Sequence, residues 1–440
     1  MCFLHGAPFK FANKAAGLHK GFVMGTAFSP DGSVLVTVGA DRRIQLYDGK
    51  TGEPTKQVGE GVHTGSIFAV SWAKDSKRFV TASADQTVRV WDVESGECVH
   101  TWRIGEEGSV NVENQQVGVV WPHGRSDGLI ISLSLSGDLN YLAEGKDKPI
   151  RVVQGHNKSV TALGVASEGK ITTGSFDGKV CSWDVSTGVA TVVEGQAHTN
   201  QVTQFASLSG HTYSVGWDDT LRTIQHSANS FLGNPTKLPS QPKAIAVTSG
   251  NIIIAYSDSI AVYSLNSSEP LTQLRTDFAP SVLAACGSLI AVGAATTNAV
   301  DIYTLASPNN LTPTTTLSNS SSPISSLAFS PTGSLLAAGN AQGKIVAYNT
   351  SDWSVATDRW SAHTARVLSI AWNQAGTHAV SGGLDTNVHV WSLAKPGSRV
   401  KAANAHKDGV CGVAFVDGDQ KVVSTGGDAA VKIWRVGGLQ

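Results

Sequence analysis

A chain of 440 residues, 41% hydrophobic and 15% charged, has room for several domains or one long repeat array and is too apolar to be disordered. Its formal net charge of -1 and near-neutral isoelectric point give no basic footprint of the kind nucleic acid requires. With 46 Gly and 11 Trp beside only 2 Met, the composition favours short β-strands, glycine at tight corners and tryptophan between sheets.

Met1 to Lys14 lacks a basic segment followed by a sustained apolar run, so no secretion signal is read there. Within it, Cys2 to His5 and Phe9 to Lys14 read as the last two strands of a repeat that begins earlier. The first full repeat runs from His19 through Asp41 to Tyr47, the second from His63 through Asp85 to Trp91. A degenerate repeat is read over Gln116 to Leu142, and the next runs from His156 through Asp177 to Trp183. His198 opens a fifth, whose Gly216-Trp217-Asp218-Asp219 reads as a degenerate form of the same turn, not as a metal site. Ala244 to Tyr263, Val282 to Tyr303 and Ile324 to Tyr348 supply three weaker repeats. His363–Asp385–Trp391 and His406–Asp428–Trp434 complete ten.

Five of these repeats share one spacing. An Asp stands six residues before a Trp or Tyr, and a His stands 21 or 22 residues before the Asp. Within a repeat the grammar is strand, turn, strand: Phe68-Val70-Trp72 alternate, Lys74 to Lys77 turn, Phe79 to Ala82 return, and Asp85-Gln86-Thr87 turn again. Ser29-Pro30-Asp31-Gly32 and Ser330-Pro331-Thr332-Gly333 are turns of the same type. A period near 43 residues with three or four short strands is the signature of a β-propeller blade of the WD-repeat kind, and the fold class is all-β.

The His, Asp and Trp of each set (His63, Asp85, Trp91; His156, Asp177, Trp183; His363, Asp385, Trp391; His406, Asp428, Trp434) are expected to pin the blade. The carboxylate accepts backbone N–H groups and the imidazole, and the indole bonds onward to a hydroxyl such as Ser83 or Ser175. A hydrolase reading of His, Asp and Ser is set aside, because the set recurs at blade spacing and no G-x-S-x-G elbow is present. No phosphate loop, H-E-x-x-H or calcium loop appears, so no enzyme activity, metal or cofactor is expected. The cysteines Cys2, Cys98, Cys181, Cys286 and Cys411 form no paired motif and read as free thiols in a reducing compartment. Ala279 to Ala295 is too short and interrupted for a membrane helix and reads as two strands; the sequons at Asn266, Asn319 and Asn349 read as chance.

Rings hold about four to eight blades, so ten imply more than one. Counting back seven from the C-terminus reaches His156, and the strand 150–154 is expected to supply the fourth strand of the last blade. The expected domains are therefore a partial N-terminal propeller, 1–142, of three full blades plus a remnant, and a seven-bladed propeller, 145–440, closed by 150–154.

Several segments carry a closer resemblance. Gly6-Ala7-Pro8-Phe9-Lys10-Phe11, Phe28 to Gly32, Tyr47 to Gly52, Ser83-Ala84-Asp85, Gln115 to Gly118 with Trp121, Gly155 to Leu163, and Gly216 to Asp219 are similar to the actin-interacting protein 1 family across nearly the whole chain. The resemblance implies two seven-bladed propellers that bind cofilin-decorated actin filaments and promote their severing and disassembly, without a catalytic site. It implies actin filaments and cofilin as partners, no nucleic acid or membrane, a monomer, and a cytoplasmic location at cortical actin structures. Against the family pattern, the chain begins inside the first propeller, short of it by about four blades or roughly 170 residues. The other function class is a generic WD-repeat scaffold or adaptor for protein complexes. The residues expected to meet actin or cofilin are Phe9, Lys10, Phe11, Lys20 and Phe22, aromatic anchors among lysines suited to an acidic protein surface.

Overall fold

Short runs rich in β-branched and aromatic residues between turn-forming clusters produce strands through the described residues. The computed structural model describes residues 18–437, apart from 168, 209, 249, 266 and 295. The N-terminal strand remnants, Cys2, and Phe9, Lys10 and Phe11 lie outside the described residues, as does Asn266. Among the described residues there are ten antiparallel sheets and a single 3-10 turn at Val112–Asn114. None of the described residues forms a helix long and apolar enough to cross a membrane.

Each sheet is a meander whose spatial order is its chain order. They are numbered here as blades 1 to 10: 23–58, 67–103, 116–153, 160–192, 202–237, 244–275, 280–317, 324–361, 367–402 and 410–435. Nine have four strands; blade 10 has three among the described residues, Val410–Val416, Lys421–Gly426 and Val431–Arg435.

Blade 2 shows how the sequence builds one. Its strands are Ile67–Trp72, Arg78–Ser83, Thr87–Asp92 and Cys98–Arg103. The first turn is fixed by the Asp75 carboxylate, which accepts the Lys77 amide at 2.9 Å, with Ser76 at φ 59. The last is fixed by Asp92, which accepts the Ser95 amide at 2.8 Å, with Gly96 at φ 79. Side chains then alternate between two buried faces. Ile67, Trp72, Phe79 and Trp91 pack with Val36, Val38 and Leu46 of blade 1, while Val80, Val88, Val90 and Trp102 pack with Trp121, Ile130 and Leu142 of blade 3. Both faces are apolar because each is covered by a neighbouring blade, and each fully buried Ile, Phe or Val contributes roughly 1.5–3 kcal/mol. The proline turns fold as read, with Gly32 and Gly333 both at φ 71.

The chain divides into two compact units, one up to Gln154 and one from Gly155. Blades 1 to 3 stack in order in the first. In the second, the first strands of blades 4 to 10 pack each against the next, and the first strand of blade 4, Val160–Ser167, packs against that of blade 10. Ile171 and Val185 of blade 4 and Val416 and Val423 of blade 10 share one buried cluster.

The expected closing strand requires correction. Arg151–Val153 does not join Val431–Arg435; it pairs with Leu139–Leu142, in the register Leu139↔Val153 and Tyr141↔Arg151, and completes blade 3. The reason is local: a hairpin over 143–150, with Gly145 at φ 77 and the Ile150 amide on the Tyr141 carbonyl at 2.8 Å, returns the chain at once to the strand it has just left. The Arg151 guanidinium lies over the Tyr141 ring at 5.6 Å and holds that register.

Candidate functional site

Two features carry the chemistry of this chain: a polar pin inside the blades, and the exposed side chains on the turns beside it. The pin begins with the turn between the second and third strands. In blade 2, His63 in the loop before the first strand donates from Nδ1 to Asp85 Oδ2 at 2.8 Å, and the Thr64 amide donates to the same oxygen at 3.0 Å. With Nδ1 protonated, neutral Nε2 must accept; it takes the Thr81 hydroxyl at 2.8 Å, and Thr81 in turn accepts the Trp91 indole N–H at 2.8 Å. Burial opposes ionisation of Asp85, yet the His63 imidazole, the Thr87 hydroxyl and the Thr64 amide hold its carboxyl well below the ordinary range.

The same chain of bonds recurs. His363 meets Asp385 at 2.8 Å and Ser381 at 2.8 Å, and Trp391 donates to Ser381 at 2.7 Å. His406 meets Asp428 and Ser424, each at 2.8 Å, and Trp434 donates to Ser424 at 2.8 Å. His19 reaches Asp41 at 3.0 Å and Thr37 at 2.8 Å in blade 1. In blade 5, His198 bonds Asp218 at 2.9 Å and Ser214 at 2.9 Å, so Gly216 to Asp219 folds as the degenerate blade turn and not as a pair of free carboxylates.

Two details differ from the sequence reading. The onward hydroxyl is Thr81 or Thr173, not Ser83 or Ser175, which lie two residues further along the strand. Ser83 instead donates to the Gly65 carbonyl at 3.2 Å and Ser175 to Asp177 at 2.5 Å. The register decides this: Phe79 sits opposite Trp91, which brings the indole N–H to Thr81. Blade 4 is also incomplete. His156 bonds Thr173 at 2.7 Å and Trp183 bonds Thr173 at 2.6 Å, but Asp177 turns to Ser175 and His156 Nδ1 is buried without a partner. Burial, aided by the Lys179 charge, pushes the His156 imidazole down to about 4.

A hydroxyl–imidazole–carboxylate series has the connectivity of a hydrolytic triad. Here the hydroxyls of Thr81, Ser381 and Ser424 sit on fully buried residues and each already accepts an indole N–H, leaving no approach for a substrate. The pin is a clamp.

The exposed side chains sit around these clamps. Lys20 and Phe22 precede the first strand of blade 1, Val23–Phe28, where the Lys20 amide donates to Asp41 at 2.7 Å and the Phe22 carbonyl accepts the Ala40 amide at 2.8 Å. The Phe22 ring is 83% exposed. Next to it, Lys20, Arg42, Arg43, Gln57, Glu60 and Thr64 line a groove of about 560 Å³ between blades 1 and 2. The structure thus brings Lys20 and Phe22 together at the Asp41 turn and adds Arg42 and Arg43, which spacing arguments passed over. Three further exposed apolar residues each stand just before a turn aspartate: Phe176 at 52%, Trp217 at 44% and Leu384 at 53%. Aligning the repeats on that aspartate would have found them.

In the second unit the first strands of all seven blades surround a channel of about 280 Å³, lined by hydroxyls such as Thr161, Ser281, Ser325 and Ser369, with Lys243 and Cys411. Burial pushes the Cys411 thiol up to about 11, so it stays a protonated, unreactive thiol at neutral pH.

Meandering blades packed face to face, five of them clamped by a His–Asp pair, define a WD-repeat β-propeller protein. The WD domain, G-beta repeat family matches residues 17–48, 56–92, 147–184, 311–349, 354–392 and 397–435. The chain is 39% identical to an uncharacterised WD repeat-containing protein of Schizosaccharomyces pombe over 99% of its length and 71% of the relative's. It is 34% identical to WD repeat-containing protein 1 of Gallus gallus, covering 99% of this chain and 71% of that one. It is 33% identical to actin-interacting protein 1 of Drosophila melanogaster, covering 98% and 70%. This chain belongs to the WD repeat-containing protein 1 and actin-interacting protein 1 family.

Proposed function

We propose that this chain binds actin filaments and cooperates with cofilin to sever and disassemble them. What carries the reading is that relatives named for interaction with actin align with nearly the whole chain. The exposed Phe22 ring, beside Lys20, Arg42 and Arg43, fits an acidic filament surface: the ring anchors and the cations steer. Phe9, Lys10 and Phe11 are assigned to actin or cofilin binding on sequence grounds alone. The His–Asp–Trp sets act as structural pins and take no part in binding actin or cofilin. In this reading blades 4 to 10 form one complete seven-bladed propeller and blades 1 to 3 part of another. The protein works as a monomer at cortical actin in the cytoplasm, without a cofactor and without catalysis, nucleic acid or membrane. An adaptor role would rest on the exposed Phe176, Trp217 and Leu384. Pelleting with filaments separates the two: the actin reading requires the chain to sediment with filaments, and more so when cofilin is present. Failure to pellet in either condition leaves only the adaptor reading.

A further inference from the structure

We propose that blade 9 binds a divalent transition-metal ion, zinc by its donor set, between His363, Asp385 and His389. The inference stands apart from the actin reading and rests on one departure from the repeat. At the position four residues after the turn aspartate, the other blades with a His–Asp pair carry a side chain whose donors are satisfied: Arg89 bonds the Thr87 and Thr101 hydroxyls, and three others meet a main-chain carbonyl. Gln45 donates to Lys56 at 2.9 Å, Arg222 to Gln196, and Lys432 to Ala405. Blade 9 has His389 there, fully buried, and neither of its ring nitrogens has a partner.

An imidazole that is dry and unpartnered at both nitrogens costs stability, which a ligand bound there would recover. The other donors lie next to it. His363, Asp385 and His389 each offer a ligand atom, and these atoms all lie within 4.8 Å of one another. The His363 and His389 rings meet nearly at right angles, 87°, with centroids 4.6 Å apart, and His363 Nδ1 is 2.8 Å from Asp385.

Two imidazoles and a carboxylate suit zinc, which bonds nitrogen and oxygen at about 2.0–2.2 Å and accepts three protein ligands with one open position. They do not suit magnesium or calcium, which prefer oxygen throughout. Binding needs no net loss of a proton. The metal takes the place of the proton between His363 Nδ1 and Asp385, that proton moves to Nε2, and Ser381, now bonded to Nε2 at 2.8 Å, turns from donor to acceptor. Arg399 and Lys401, whose charges reach His389, oppose a bound cation and keep affinity below that of a four-ligand structural site.

The test uses the whole chain after treatment with a chelator. Zinc chloride should raise the melting temperature in a saturable way, magnesium chloride should not, and His389→Phe, which keeps the ring volume but removes both nitrogens, should abolish the zinc effect. His156→Gln, at a buried histidine in a different blade, should retain it. Cobalt(II) chloride reads the unsubstituted chain directly. Intense visible bands of four-coordinate cobalt, saturating at about one equivalent and lost in His389→Phe, support the site. A weak six-coordinate spectrum, or a zinc shift that persists in His389→Phe, overturns the proposal and leaves His389 as a packed ring against Trp391.

Discussion

At the scale of single residues, the protein depends on buried polar groups that gain most of their stability from complete sets. Asp218 accepts His198 Nδ1 and the Thr199 amide and faces Arg222 at 3.4 Å, with its side chain 6% exposed. Asp218→Ala would strand the His198 and Thr199 N–H groups, and we expect a loss of about 1–3 kcal/mol in a denaturant titration. Asp177 has no His156 bond to lose, so Asp177→Ala should cost clearly less; equal losses would mean the pins do not act through the imidazole.

His156 also gives a pH dependence whose sign can be worked out. Its folded value is about 4 against 6.5 for a free imidazole, so between those limits the unfolded chain binds a proton that the folded chain refuses. Its contribution to stability is intact above pH 6.5 and falls as pH drops toward 4, by on the order of 3 kcal/mol. In His156→Gln the fall in denaturation midpoint over that range should flatten; an unchanged slope would contradict the assignment. The histidines, aspartates and tryptophans were legible because they recur at fixed distances. The hydroxyl was not: Thr81 and Ser83 stand on the same side of one strand, and only the pairing of Phe79 with Trp91 chooses between them.

At the scale of elements, turns decide where strands go. The residue just after the turn aspartate is left-handed in blade after blade: Arg42, Gln86, Asp219, Thr386 and Ala429 lie at φ 55 to 69, and Gly178 at φ 87. At Gly178 a methyl would come within 2.1 Å of the His198 carbonyl oxygen, on the loop of the next blade. Gly178→Ala should therefore destabilise by more than the roughly 1–2 kcal/mol of left-handed strain alone, measured by the same titration. A neutral effect would show that the interface between blades 4 and 5 is looser than described. Turn chemistry of this kind is written in the sequence, and so were the ten repeats. The partner of Arg151–Val153 was not. Ring-closure logic looked for a distant strand, whereas the short hairpin at Gly145 made the adjacent one cheaper in chain entropy.

At the scale of the whole molecule, that pairing changes what a fragment should do. Because 151–153 belongs to blade 3, a fragment 155–440 should melt at the same temperature as a fragment 145–440. A markedly lower melting temperature for the shorter one would return 150–154 to the closing role read from sequence. Function was legible only through resemblance, since a face that binds a protein needs exposed side chains, and exposure is not written in spacing. Phe22 stood out from the sequence for its lysine neighbours, while Arg42 and Arg43 emerged only when the fold set blades 1 and 2 side by side.

The Phe22 edge of blade 1 is proposed to act in disassembly of cofilin-decorated filaments. The most direct test of that role is the amount of actin that remains in the pellet when filaments and cofilin are incubated with the whole chain or with Phe22→Ala. The whole chain should lower pelleted actin beyond cofilin alone, Phe22→Ala should do so weakly while melting normally, and neither should act on bare filaments. Pelleted actin that is the same with and without the chain, in the presence of cofilin, would contradict the proposal.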